Sequence, residues 1–354
     1  MLKRILSNPY LIIPIIIIGL GLRVINLEAD IPYFVHHNYV ADEGGWSHNA
    51  RNYYVNGSWF DESHNSPYFS APGYSHFLYG MFRLTGLSMY SGRLLSSIAG
   101  TLTIIVLWMF CANKGTVMTA NVAAIILTLS GIHIIYSRLI MTEVLLMFML
   151  MLFFYFWSKK QNFIYAALSG ITLSVLLTIK LSAIHFIPSL LILIYLEILR
   201  KEIRLNSFIV FATSSLISII ILLSVYYLPY LSDCIEWYNN AYLKMSDIYD
   251  HSIIYISEIA LFNLVLSELG SNRIVNKVFI FMPVISMLAF YYIFNLITKM
   301  QTSFFGILKS INYVEVVGIS IFLGNIFIVA VSNYKPERRY IAVLLGMSML
   351  AAVA

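Results

Sequence analysis

A chain of 354 residues that is 60% hydrophobic and 11% charged, with a mean hydropathy of +0.81, has too little polar surface to cover a soluble globule. Its net charge of +5 comes from scattered basic residues and short pairs, with no long basic run, which argues against a nucleic-acid surface. The two cysteines, Cys111 and Cys234, support neither a disulfide framework nor a metal-ligating pattern.

A bilayer core takes about 20 mostly apolar residues per helix, and about ten stretches fit: 9–27, 92–110, 116–134, 143–158, 162–179, 182–199, 208–228, 279–298, 316–332 and 340–354. Strand-like alternation is absent, so the expected fold is an all-α polytopic membrane protein. The first stretch continues through Leu22-Arg23-Val24-Ile25 with no small-residue cleavage site and is retained as a span. Lys3-Arg4, Lys114, Lys159-Lys160, Arg200-Lys201, Arg204, Lys299 and Lys309 all fall on one side of this arrangement. The positive-inside rule makes that side cytoplasmic, together with the N-terminus. The expected location is the cell membrane, with the working side outside the cytoplasm.

Two outer loops stand out, 28–91 and 229–278. In the first, Asp42 to Val55 reads as a short helix, and Gly73 to Leu84, after Ser70-Ala71-Pro72, reads as a second. Both suit the membrane interface, where aromatic rings prefer to sit. The second loop carries Trp237 and a run of tyrosines and is expected to cover a site. No internal repeat is visible. The expectation is one transmembrane domain over 1–354, cut short inside its last span at Ala354.

The residues suited to chemistry gather on the outer side. Asp42-Glu43 places two carboxylates just beyond the first span, where they remain ionised yet reach a lipid-borne substrate, as a general base requires. The plainer reading is that they cap a helix starting near Gly44, a task that needs one acid and not two. Arg138, Lys180, Arg338 and Arg339 lie at the outer ends of predicted spans, where cations can hold a lipid phosphate. Of the adjacent arginines, Arg339 beside Tyr340 is the better candidate. Lys180 also suits the C-terminal end of a helix dipole, Glu143 the first turn of the next span, and Arg138 an ion pair with Glu143. His36, His37, His48 and His64 crowd the first loop without a zinc-type spacing, so no metal or other cofactor is expected; the alternative is a divalent cation held by Asp42 and Glu143, against which the lack of a paired-acid motif in the second outer loop counts.

Asp42-Glu43 followed by Trp46, Asn49-Ala50-Arg51-Asn52 and Gly57-Ser58-Trp59 resembles the first outer loop of the dolichyl-phosphate-mannose protein mannosyltransferase-like family, glycosyltransferase family 39 with its bacterial and archaeal relatives. Ala71-Pro72-Gly73-Tyr74, Leu84-Thr85-Gly86, Ser91-Gly92-Arg93-Leu94, the run Tyr136 to Glu143, Thr178-Ile179-Lys180 and Lys335 to Tyr340 continue the resemblance in family order along nearly the whole chain. It implies the C-type glycosyltransferase fold and transfer, with inversion, of a sugar from a polyprenyl-phosphate donor to a protein, lipid or glycan acceptor outside the cytoplasm. At the matching positions Asp42 becomes the base and Glu43 its helper. Arg138, Lys180, Arg338 and Arg339 bind the donor phosphate, with Glu143, Tyr340 and Arg51 in support. The competing readings are a polytopic transporter, against which the lack of repeats counts, and a lipid-linked glycan ligase or polymerase.

Overall fold

A backbone crossing hydrocarbon must pair its own N–H and C=O groups, and a helix does so within one segment. The computed structural model follows that rule; it describes residues 2–28, 39–61, 66–237, 239, 288, 291–293, 295, 311–331 and 343–353. In chain order these form α1 (Leu2–Leu6), α2 (Ile12–Val24), α3 (Tyr39–Asn56), α4 (Ser66–Ser70), α5 (Pro72–Thr85), α6 (Met89–Lys114), α7 (Val117–Thr128) and α8 (Gly131–Ser137). They continue with α9 (Thr142–Trp157), α10 (Phe163–Ile179), α11 (Ile187–Leu199), α12 (Leu205–Tyr226), α13 (Leu231–Trp237), α14 (Tyr313–Val331) and α15 (Val343–Val353).

Among the described residues, Met89–Lys114, Leu181–Leu199 and Leu205–Trp237 are each long and apolar enough to cross a membrane. The shorter apolar helices Pro9–Val24, Thr142–Trp157, Phe163–Ile179 and Tyr313–Gly324 accompany them. Most of the predicted span 279–298 lies outside the described residues. The predicted span 116–134 is not straight: α7 and α8 meet at a bend of 63°. Ser130 starts the second helix by accepting from His133 N, and the break leaves carbonyls that a continuous helix would satisfy. Arg23 of α2 answers one of them, donating to Leu127 O at 3.4 Å as well as to Gly19 O at 2.8 Å and His133 Nδ1 at 2.7 Å.

Helix α6 packs against α2, α7 and α9, and α10 joins α9 to α12. The close approach of α10 and α12 depends on Gly170, where an added Cβ would stand 2.6 Å from Phe211 O, and on Ser174, which donates to Ser215 O at 2.9 Å. Helices α14 and α15 pack on each other, α14 on α11 and α15 on α7. Short connections make the helices alternate in direction, so the start of α6, the start of α9 and the end of α10 share one end of the bundle. The loop helices α3 and α5 pack on each other at that end, and α5 also rests on α6 and α10. Gly73 makes the last contact possible: a Cβ there would stand 3.0 Å from the backbone of Thr178.

Candidate active site

Glu43 anchors the start of the first loop to the bundle. Helix α3 starts at Tyr39, ahead of the paired acids, so Asp42 and Glu43 lie inside its opening turns and not at its cap. Glu43 is 2% exposed. Arg93, one turn into α6, donates from Nε to its Oε1 and from Nη2 to its Oε2, both at 3.0 Å. The backbone N–H of Ile140 donates to Oε1 at 2.8 Å, and Arg93 Nη1 donates to Leu27 O at 2.8 Å. A planar fork on a buried carboxylate is the geometry in which an arginine pair is strong, and it joins the end of the first span, α3, α6 and the loop before α9.

A second ion pair stands beside the first. Lys180, at the end of α10, donates from Nζ to Glu143 Oε1 at 2.7 Å, and Thr142 Oγ1 donates to Glu143 Oε2 at 3.1 Å. Glu143 occupies the first turn of α9, where no side chain caps the amides and an acid complements the dipole. The Lys180 ammonium also lies 4.7 Å from the ring centroid of Trp46, and Trp46 meets Tyr74 edge-on at 6.5 Å. Tyr74 is buried between both carboxylates. Loss of water first, then the negative charge of Glu143 and Glu43, raises its phenol above the ordinary tyrosine range, so it stays protonated. Its neighbours thus face a neutral polar group and not a third negative charge.

Of the residues expected from sequence, Glu43, Glu143 and Lys180 come together here. The backbone of Asp42 is part of α3, next to the clamped Glu43; its side chain lies outside the described residues. Arg138 donates to Leu22 O at 3.0 Å, Ile25 O at 2.9 Å and Asn26 O at 3.1 Å, closing the carbonyl end of α2. Arg51 is exposed on α3, and Arg338, Arg339 and Tyr340 lie outside the described residues. Arg93, Trp46 and Tyr74 stand in the stretches that carry the family resemblance, but the sequence assigns them no role. Arg93 carried a signal nonetheless, since a charge at the mouth of an apolar span needs a partner.

Below α3 an aromatic cluster holds the loop to the end of α12. Trp59, Tyr68 and Phe69 are buried, Phe60 stacks on Phe69 at 5.2 Å, and Tyr227 donates to Phe69 O at 2.8 Å. Of the loop 229–278, residues 229–237 and 239 are described, and Trp237 stacks on Phe69 at 5.7 Å. His48 Nε2 lies 2.9 Å from Asp61 Oδ2. No group of three His, Cys, Asp or Glu suited to a metal ion occurs among the described residues.

The fold matches a crystal structure of ArnT from Cupriavidus metallidurans bound to undecaprenyl phosphate, with a TM-score of 0.59 and 17% identity over 97% of this chain and 59% of that one. The apo state of ArnT from Cupriavidus metallidurans matches with a TM-score of 0.53 and 16% identity over 88% of this chain and 54% of that one. This chain therefore spans well under two thirds of the length of those proteins. No curated protein matches it in sequence. The family model for dolichyl-phosphate-mannose-protein mannosyltransferase matches residues 48–233, just over half the chain. The protein is a multi-pass membrane protein, and it belongs to the dolichyl-phosphate-mannose-protein mannosyltransferase family.

Proposed function

We propose that this protein transfers a sugar from a polyprenyl-phosphate donor to an acceptor hydroxyl at the end of the bundle that carries Glu43, on the extracytoplasmic side. The observation that carries the reading is the buried salt bridge of Glu43 with Arg93 beside the part-buried one of Glu143 with Lys180, next to α3. Family membership and the likeness to a protein crystallised with undecaprenyl phosphate support it.

In this reading the acceptor oxygen attacks the anomeric carbon as its proton passes to the Asp42 carboxylate, and the bond from that carbon to the phosphate oxygen breaks with its electron pair leaving on the phosphate. Attack opposite the leaving group inverts the anomeric configuration. Glu43 is held by three donors and serves as a positioning residue, fixing the turn that carries Asp42. Lys180 meets the developing phosphate charge, exchanging part of its contact with Glu143 for the leaving oxygen. Arg338 and Arg339 add cations from the last outer loop, and Arg138 contributes its charge from the end of α2. Tyr340 and Arg51 support the same face. In this reading fixed cations offset the phosphate charge and no metal takes part.

The test is sugar transfer in purified membranes from a radiolabelled polyprenyl-phosphate sugar, with Asp42→Asn as the probe. The amide keeps the shape and cannot take a proton, so transfer is expected to vanish while the protein still inserts. Near-normal transfer by Asp42→Asn would remove Asp42 as the base.

A further inference from the structure

The end of the bundle opposite the candidate active site holds a second set of charges that the transfer reaction does not use. Glu197 of α11 is buried, accepting from Lys160 Nζ at 2.8 Å, from Trp157 Nε1 at 3.1 Å and from the Tyr313 hydroxyl. Arg200 donates to Glu202 Oε1 at 2.8 Å and to Ile311 O at 2.7 Å. Gln161 Nε2 donates to Glu202 O at 2.8 Å, tying the α9–α10 loop to the α11–α12 loop. Glu315, in the first turn of α14, accepts from the Asn312 N–H and the Tyr292 hydroxyl, so the three described acids of this end are engaged. Lys114, Lys201 and Arg204 are left with no ion pair among the described residues, and all three line one pocket of about 380 Å³ with Lys160 and Glu202.

A second pocket of about 370 Å³ adjoins it, sharing Gln161 and Arg204. Its wall is the start of α12, where Arg204 at the N-cap makes no side-chain capping bond and no acid occupies the first turn. The opening amides of a 22-residue helix therefore lack a partner from the cap. Ser207 lines the same wall, 1% exposed, and its hydroxyl has no hydrogen-bond partner. Uncapped amides, an orphaned buried hydroxyl and three cations outside any ion pair, facing a single carboxylate, Glu202, that is already paired with Arg200, share one chemistry, the recognition of a phosphate oxygen. The rim is apolar: Phe163 is 53% and Leu205 71% exposed beside the polar groups. A free phosphate has no use for that rim, whereas a lipid has.

We propose that the start of α12 and the α9–α10 and α11–α12 loops bind the phosphodiester headgroup of an anionic glycerophospholipid, with Phe163 and Leu205 against its glycerol and upper acyl carbons. Basic pockets between helices at the cytoplasmic surface suit such headgroups, and the basic pattern of the sequence places this end there. Lys201 has φ of 58°, a left-handed position that glycine fills at less cost, so the chain keeps a lysine where the backbone favours another residue.

The full chain, purified in neutral detergent, is titrated with phosphatidylglycerol, phosphatidylcholine or inorganic phosphate and bound species are counted by native mass spectrometry. Phosphatidylglycerol is expected to bind about tenfold or more tightly than phosphatidylcholine, as a charge-assisted contact implies. Lys201→Asn, which tolerates the left-handed backbone, combined with Arg204→Gln is expected to erase that preference, and Arg204→Gln alone to lower it severalfold. Equal binding of the two lipids, or an unchanged preference in both variants, overturns the proposal. Inorganic phosphate binding as tightly as phosphatidylglycerol overturns its lipid part and leaves an anion site.

Discussion

Arg93 and Glu43, fifty residues apart, meet through two parallel 3.0 Å bonds with both side chains removed from water. If one is lost, the other stays buried among contacts that include a backbone group, Leu27 O for Arg93 and the Ile140 N–H for Glu43. Breaking a buried pair by removing one partner costs about 3–5 kcal/mol, because the survivor stays buried and uncompensated. Glu43→Gln should therefore lower the melting temperature of the detergent-solubilised protein along with its transfer rate. Arg93→Lys should restore little, since a point charge replaces a fork. A Glu43→Gln protein that melts like the wild type would show that the pair holds nothing together.

Asp42→Asn is expected to behave differently from its neighbour. Its loss should fall on the turnover rate, with the melting temperature unchanged. The contrast between positions 42 and 43, read by melting and by transfer in the same membranes, separates a base from the residue that positions it.

Lys180→Gln should weaken use of the lipid-linked donor by about one to two powers of ten, the worth of a charge-assisted contact of roughly 1.5–3 kcal/mol. Titration of donor at fixed acceptor reads it directly. Arg138→Ala is expected to act more on stability than on donor use, since its guanidinium already closes three carbonyls at the end of α2. A larger donor defect in Arg138→Ala than in Lys180→Gln would reverse that ranking.

His76 supplies a pH dependence. It lies between Trp59 at 4.3 Å and Tyr226 at 4.7 Å, and burial holds its imidazole below the ordinary value of 6.5. The unfolded chain therefore takes up a proton at a pH where the folded protein does not, and the stabilisation, complete above 6.5, is lost as pH falls below it. Melting temperature should decline as pH falls below about 6.5, and His76→Phe should flatten the decline. Parallel slopes in the two proteins would exclude His76 as the cause.

The spans were legible because hydrocarbon demands a continuous apolar run, and that demand is written locally in residues such as 92–110. The loop helices were legible from their apolar and aromatic content, although α3 starts at Tyr39, three residues ahead of the expected Asp42. The bend between α7 and α8 was not, because Leu129-Ser130-Gly131 continues the hydropathy while interrupting the hydrogen bonds. The site was half legible. Glu43, Glu143 and Lys180 announce themselves as charges beside apolar stretches, but their partners do not: Glu143 meets Lys180 37 residues on, and Glu43 meets Arg93 50 residues on. Periodicity reports the face of a helix, and partners so distant are set only by packing. Trp46 and Tyr74 stand in the stretches that carry the family resemblance, but their neighbours, Lys180 against one and both carboxylates near the other, are set by packing.

The bonds that Arg23 makes across the broken span impose an order on biogenesis. Its partners Leu127 and His133 emerge from the ribosome more than a hundred residues after it, and the arginine that closes the end of α2 comes later still. At about 5–20 residues per second, the first span waits roughly 5 to 20 s in the membrane before its guanidinium finds them. In that interval the long side chain must reach up to the headgroups for water. A nascent chain halted before residue 130 is thus expected to leave the first span loosely seated, and release past residue 138 to lock it.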